Sequence, residues 1–159
     1  MKSIPHKILI LLDIRSAHNV GSLFRTADAA GIEMVYLVGT TPSPLDRFGR
    51  PVGEIAKTAL GAELTIPWKQ VKSIGALMKT LHKDGVQIIA IEQSAQSMDY
   101  KKVKVLKPVA FILGNEVDGV PLKVLEKCDI VAQIPMKGQK ESLNVSVAGG
   151  IAIFRILGI

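Results

Sequence analysis

The sequence predicts an α/β fold, a mostly parallel sheet with helices on both faces, and three observations carry that expectation. Short β-branched runs alternate along the chain with segments of helical periodicity. Most of those runs are apolar on successive residues, as in strands covered on both sides. Glycines stand where the longer helical patterns stop. A chain of 159 residues, 48% of them hydrophobic, is long enough for one continuous core and short for two, so residues 1–159 are expected to form a single domain.

Taken in order, residues 7–13 predict the first strand. Residues 19–30 follow as a helix, with Val20, Leu23, Phe24, Ala27 and Ala30 on one stripe, Asn19 placed to cap it and Gly31 as its stop. Residues 34–38 predict a second strand. The segment 40–53 holds Pro42, Pro44, Gly49 and Pro51 with Arg47 and Arg50, and reads either as a substrate-binding lid or as a long connection. Further strands are expected over 63–66, 86–91, 109–113 and 130–134, with helices over 71–83, 121–127 and 144–157. The last helix is apolar around most of its circumference, through Val145, Val147, Ala148, Ile151, Ala152, Ile153, Phe154 and Ile156. Its two mid-helix glycines, Gly149 and Gly150, cost about 1 kcal/mol each relative to alanine unless a close neighbour needs the room. A partner chain is therefore expected against this helix, the alternative being a central helix inside one domain.

Composition narrows the function. Cys128 stands alone and makes no intrachain disulfide, and His6, His18 and His82 lack metal-ligand spacing, so no metal site is expected. No apolar run approaches the ~18–20 residues of a membrane span, and the N-terminal segment lacks the features of a signal peptide. A cytoplasmic protein is expected. The formal charge is +6, with 20 Lys and Arg against 14 Asp and Glu, which favours a polyanionic partner. Lys69, Lys72, Lys79 and Lys83 form one basic cluster, and Lys101, Lys102, Lys104 and Lys107 another; each is either a phosphate track or a solvated surface. With aromatics at 4%, an extended base-stacking platform has little material.

Three segments offer chemistry. No G-x-G occurs anywhere, so a dinucleotide-type phosphate cradle is missing and any nucleotide-like ligand must use another turn at the strand ends. In 19–31, NVGSLFRTADAAG, Gly21, Arg25 and Asp28 share a helix face. Arg25 there reads either as half of a surface pair with Asp28 or as a holder of phosphate or developing alkoxide, with Gly21 leaving room for a close approach. In 111–120, FILGNEVDGV, a buried strand runs into a glycine-bracketed turn, where Asp118 fits turn chemistry and Glu116 sits where a ligand would arrive. In 134–148, IPMKGQKESLNVSVA, a strand ends at Pro135, a polar loop follows, and Ser142 or Asn144 caps the terminal helix.

Together, and in this order, these segments resemble the three motifs of the SpoU (TrmH-like) branch of the SPOUT RNA methyltransferases, over essentially the whole chain. The resemblance implies S-adenosylmethionine-dependent methylation of a ribose 2′-hydroxyl in tRNA or rRNA, a C-terminal deep trefoil knot, and a homodimer. It implies donor-binding positions at Ile91, Leu113, Gly114, Ile134, Met136 and Leu143, and catalytic positions at Arg25, Asn19, Glu116, Ser142 and Asn144. A guanidinium is always protonated in proteins, so Arg25 is read as an electrostatic group, which can act at the donor site of its own or of the partner chain. Base-nitrogen methylation within the same superfamily, and a catalytically silent RNA-binding protein, are the alternatives.

Overall fold

The computed structural model describes residues 3–159. Its strands are β1 (Lys7–Leu12), β2 (Met34–Val38), β3 (Trp68–Val71), β4 (Gln87–Ile91), β5 (Met98–Asp99), β6 (Val109–Leu113) and β7 (Ile130–Gln133). Its helices are α1 (Ala17–Ala30), α2 (Gly53–Ala59), α3 (Ala62–Thr65), α4 (Ile74–Lys83), α5 (Leu122–Leu125) and α6 (Val145–Leu157). Among the described residues the strands form one sheet in the order β3-β2-β1-β6-β4-β7-β5, with every neighbouring pair parallel.

The alternation of side chains along each strand builds two cores. On one face Leu9, Leu11, Phe111 and Leu113 pack with Leu23 and Phe24 of α1, Ile55 of α2, Ala62 of α3 and Ile153 of α6. On the other face Ile8, Ile10, Ile88 and Ile112 meet Leu77 and Met78 of α4 and Val124 of α5. Fully buried side chains such as Phe24 and Phe111 stabilise the fold by about 1.5–3 kcal/mol each. All strands being parallel, the C-terminal ends of β1, β2, β4, β6 and β7 share one edge of the sheet, where open parallel sheets bind ligands.

Several expectations needed correction. Residues 63–66 are not a strand: 63–65 fall in α3, where Glu63 is buried and Leu64 is exposed, and Ile66 is its C-cap. The strand lies just beyond, in β3, an edge strand whose Lys69 and Gln70 are exposed and so leave no apolar run to read. Helix α4 consequently starts at Ile74 behind the cap Ser73. Asn19 is not the cap of α1; Ser16 is, its hydroxyl accepting from the Asn19 N–H at 3.1 Å. Helix α2 was not anticipated, and it explains Gly21: a Cβ there would lie 2.0 Å from Thr58 Oγ1 and 2.4 Å from the Ile55 carbonyl, so the close approach is by α2.

Helix α6 buries Gly149, Ala152, Ile153 and Ile156 and leaves Val147 and Ile151 exposed. Cys128 is half-buried and donates to the Val124 carbonyl at 3.3 Å; burial, and then Asp129, push its pKa up to about 12, so it stays a thiol. Among the described residues no helix is long and apolar enough to cross a membrane, and no group of three or more His, Cys, Asp or Glu side chains is placed to hold a metal.

Candidate active site

A cavity of about 300 Å³ opens at the C-terminal ends of β4, β6 and β7. Its apolar wall is made by Ile91, Leu113, Ile134, Met136, Leu143, Val145 and Ala148, with Gly114 at the turn after β6. Glu92, Gln93, Asn115, Glu116, Asp118, Ser142 and Asn144 supply its polar rim. All six positions expected to bind a donor thus line one cavity, as do Glu116, Ser142 and Asn144. The lining contains carboxylates and no Lys or Arg.

Glycine at position 114 is required by the turn itself. A Cβ there would stand 2.5 Å from both the Gly119 carbonyl carbon and the Val120 nitrogen, which are backbone atoms with no rotamer to give way. The turn is closed further by Asn115, whose Oδ1 accepts from the Val117 and Asp118 N–H groups and whose Nδ2 donates to the Asp13 carbonyl.

Residue Glu116 anchors a chain of hydrogen bonds that links the three motif segments through Asn19 and Asn144. One carboxylate oxygen accepts from the Arg15 N–H at 2.9 Å, and the other accepts from the Ser16 N–H and from Asn19 Nδ2, both at 3.1 Å. Asn19 Oδ1 in turn accepts from Asn144 Nδ2 at 3.1 Å, and Asn144 Oδ1 accepts from the Ser146 N–H at 2.9 Å, capping α6. An ionised carboxylate only accepts and the Ser146 N–H only donates, so the two ends of the chain together fix which way both amides face: each NH₂ points toward Glu116 and each oxygen points away. Burial acts to raise the Glu116 pKa, but the donations from Arg15, Asn19 and Ser16 together outweigh it and hold the pKa below the ordinary glutamate value.

Residue Arg25 is elsewhere. It lines a separate, shallower groove of about 560 Å³ with Ser22, Thr26, Ala29, Lys57, Thr58, Gly150 and Phe154. Its side chain is exposed, and among the described residues it pairs with neither Asp28 nor any other carboxylate. Within one chain the structure therefore does not bring Arg25 to the cavity.

The sequence reading passed over Glu92 and Gln93, which follow β4. Glu92 accepts from the Val120 N–H at 2.9 Å and Gln93 Nε2 donates to the Glu141 carbonyl at 2.7 Å, so the end of β4 ties the 114–120 turn to the loop before α6. The available signal was position alone: they are the first polar residues beyond a buried parallel strand.

The model of the SpoU rRNA Methylase family matches residues 6–154. The chain belongs to the SpoU rRNA methylase family. A relative from Vibrio parahaemolyticus, named 23S rRNA (guanosine-2'-O-)-methyltransferase RlmB, is 34% identical over 147 residues, which are 92% of this chain and 57% of that protein. An AdoMet-bound rRNA methyltransferase from Sinorhizobium meliloti superposes with a TM-score of 0.85 at 30% identity, over 98% of this chain and 57% of that one. The A. aeolicus TrmH/SpoU tRNA modifying enzyme gives 0.83 at 26% identity, over 99% of this chain and 76% of that one. This SpoU chain thus spans little more than half the length, 57%, of the curated relatives it matches.

Proposed function

We propose that this SpoU chain transfers a methyl group from S-adenosylmethionine to a ribose 2′-hydroxyl of tRNA or rRNA, acting in the cytoplasm as a homodimer. The observation that carries the reading is the lining of the cavity at the ends of β4, β6 and β7. Its apolar wall suits a flat adenine, and a lining that holds Glu92, Glu116 and Asp118, the last paired with Arg15 at 3.7 Å, but no Lys or Arg suits a ligand that has no phosphate and bears a cationic sulfonium. Bound there, the donor supplies an activated methyl group. Ile91, Leu113, Gly114, Ile134, Met136 and Leu143 would hold it, with Ser142 and Asn144 at the cavity rim orienting the ribose and the donor.

The chain's own residues then position and polarise. Glu116 holds the turn before α1 and, through Asn19, sets Asn144. Arg25 holds the phosphate beside the target ribose and stabilises the 2′-oxygen as its proton leaves to that phosphate or to water. The separation of Arg25 from the cavity within one chain, and the exposed Leu143, Val147 and Ile151 at and along α6, support a second copy that brings its own Arg25 to the donor. The deep trefoil knot belongs to the same reading, supported by a strand order in which β6 enters between β1 and β4 while β7 lies beyond β4.

The test is incubation with labelled donor and total tRNA and rRNA, followed by digestion to nucleosides and mass spectrometry. A 2′-O-methylnucleoside is expected; a base-methylated nucleoside, or no label from folded protein, would overturn the reading. Light scattering should give the mass of two chains. Gly114→Ala should reduce binding of S-adenosylhomocysteine by calorimetry at least tenfold and lower stability by about 1–3 kcal/mol, because backbone must move to admit the methyl. Wild-type affinity in that variant would remove the 114–120 turn from the donor site.

A further inference from the structure

The segment 40–53, between β2 and α2, ends in an exposed stack of one aromatic ring and two guanidiniums. Phe48 is 65% exposed, and the Arg47 and Arg50 guanidinium carbons lie 4.7 and 5.0 Å from its ring centroid. The tip is held rigid from within. Asp46 accepts from the Phe48 N–H at 2.8 Å, the Arg50 N–H at 3.0 Å and Arg50 Nε at 2.9 Å, while its own N–H donates to the Arg50 carbonyl at 2.8 Å. Gly49 takes the left-handed conformation, φ +74°, that closes the turn, and Leu45 bridges Pro51 across it. Those donations, led by the Arg50 N–H, lower the Asp46 pKa.

The base of the loop is fixed to the edge of the sheet that carries the donor cavity. Thr41, 3% exposed, hydrogen-bonds through its hydroxyl to the Leu11 and Val38 carbonyls and accepts from the Ile14 N–H, and Asp13 accepts from the Thr40 N–H at 2.9 Å. Ile14 directly precedes Arg15 and Ser16, which Glu116 holds. A scattered exposed apolar residue carries no message. Here, however, the ring is presented on a hardened turn, covers nothing in the core, and is flanked by cations on a chain of formal charge +6. Aromatic ring plus guanidinium is the chemistry that takes an unstacked base and its phosphate.

We infer that the Arg47–Phe48–Arg50 tip is an RNA-binding element that receives one unpaired nucleotide of the substrate, the base against the stacked ring and guanidiniums and the adjoining phosphate on Arg47. A single exposed phenylalanine suffices for one nucleotide, so the low aromatic content does not count against it. The inference rests on RNA being the substrate, and the experiment separates the two. Filter binding with unmodified total tRNA and 23S rRNA would be run on the wild type, Phe48→Ala, Phe48→Tyr and Arg47→Ala, beside calorimetry with S-adenosylhomocysteine.

Phe48→Ala is expected to weaken binding of the RNA about tenfold, Phe48→Tyr to retain it, and both to keep wild-type donor affinity. Arg47→Ala should weaken binding and make the slope of log affinity against log salt shallower by about one. Wild-type RNA affinity in Phe48→Ala, or an equal loss in Phe48→Tyr, would overturn the stacking role while leaving methyl transfer intact. A wild type that binds neither RNA and transfers no methyl group would instead overturn the function itself, and the tip with it.

Discussion

Replacing Arg25 by alanine is expected to reduce methyl transfer by about 10²–10³-fold or more while leaving affinity for S-adenosylhomocysteine unchanged. The two readouts separate because Arg25 is absent from the cavity lining and sits in its own groove with Lys57, Thr58 and Phe154. Stability should move by less than about 0.5 kcal/mol, since the side chain is exposed and has no carboxylate partner among the described residues. Arg25→Lys should recover only part of the rate, because the ammonium keeps the charge and loses the planar fork. A mixing experiment asks which donor site the guanidinium serves. Arg25→Ala protomers combined with Gly114→Ala protomers should regain on the order of a quarter of wild-type turnover, because the mixed dimers then hold one intact composite site. Turnover that stays absent in proven mixed dimers would place Arg25 on its own chain's donor. Undiminished turnover in Arg25→Ala alone would end its assigned role.

What could be read in advance follows physical lines. β1 and β6 were legible because they lie in the middle of a parallel sheet, where Ile8 to Leu11 and Val109 to Ile112 are fully buried and must be apolar on both faces. β3 was not, because an edge strand with exposed Lys69 and Gln70 carries no such constraint, and the nearby apolar Leu64 and Ile66 took its place in the pattern. α2 escaped because it is short and its polar residues hide a packing contact that shows only in space, at Gly21 and Thr58. The six donor positions at the cavity came from resemblance to the family motifs, and composition alone indicated no more than a pocket at the strand ends. Glu92 carried no signal beyond its position after β4, because its partner, the Val120 N–H, is set by the fold. Arg25 is a different case: if its site is composite, no reading of one chain, as sequence or as structure, contains the geometry.

Replacing Glu116 by alanine is the other substitution expected to have a large effect, because it removes an acceptor shared by three donors. The Arg15 and Ser16 N–H groups can turn to water at the surface, but Asn19 is 6% exposed and its amide has little other recourse. The stability loss should be about 1–2 kcal/mol, the exposed part of the carboxylate being discounted for solvent screening. Transfer should fall by much more, about a hundredfold, because without Glu116 the turn before α1 loses its acceptor and the Asn19 amide keeps only its bond from Asn144, whose own oxygen stays on the Ser146 N–H. Glu116→Gln should lie between, keeping one accepting oxygen for three donors. A double-mutant cycle of Glu116→Ala with Asn19→Ala should be strongly non-additive in rate, whereas independent effects would dissolve the relay. Acid supplies a second readout. The folded pKa of Glu116 is lowered, so its contribution to stability is complete above the ordinary glutamate pKa and is lost as the pH falls through the folded value. Wild type should therefore lose stability to acid more steeply than Glu116→Gln across that window. Parallel acid profiles for the two would mean that the carboxylate's hydrogen bonds are too weak to set the amides, and the asparagine pair would then be oriented from its other end, by the Ser146 N–H on Asn144.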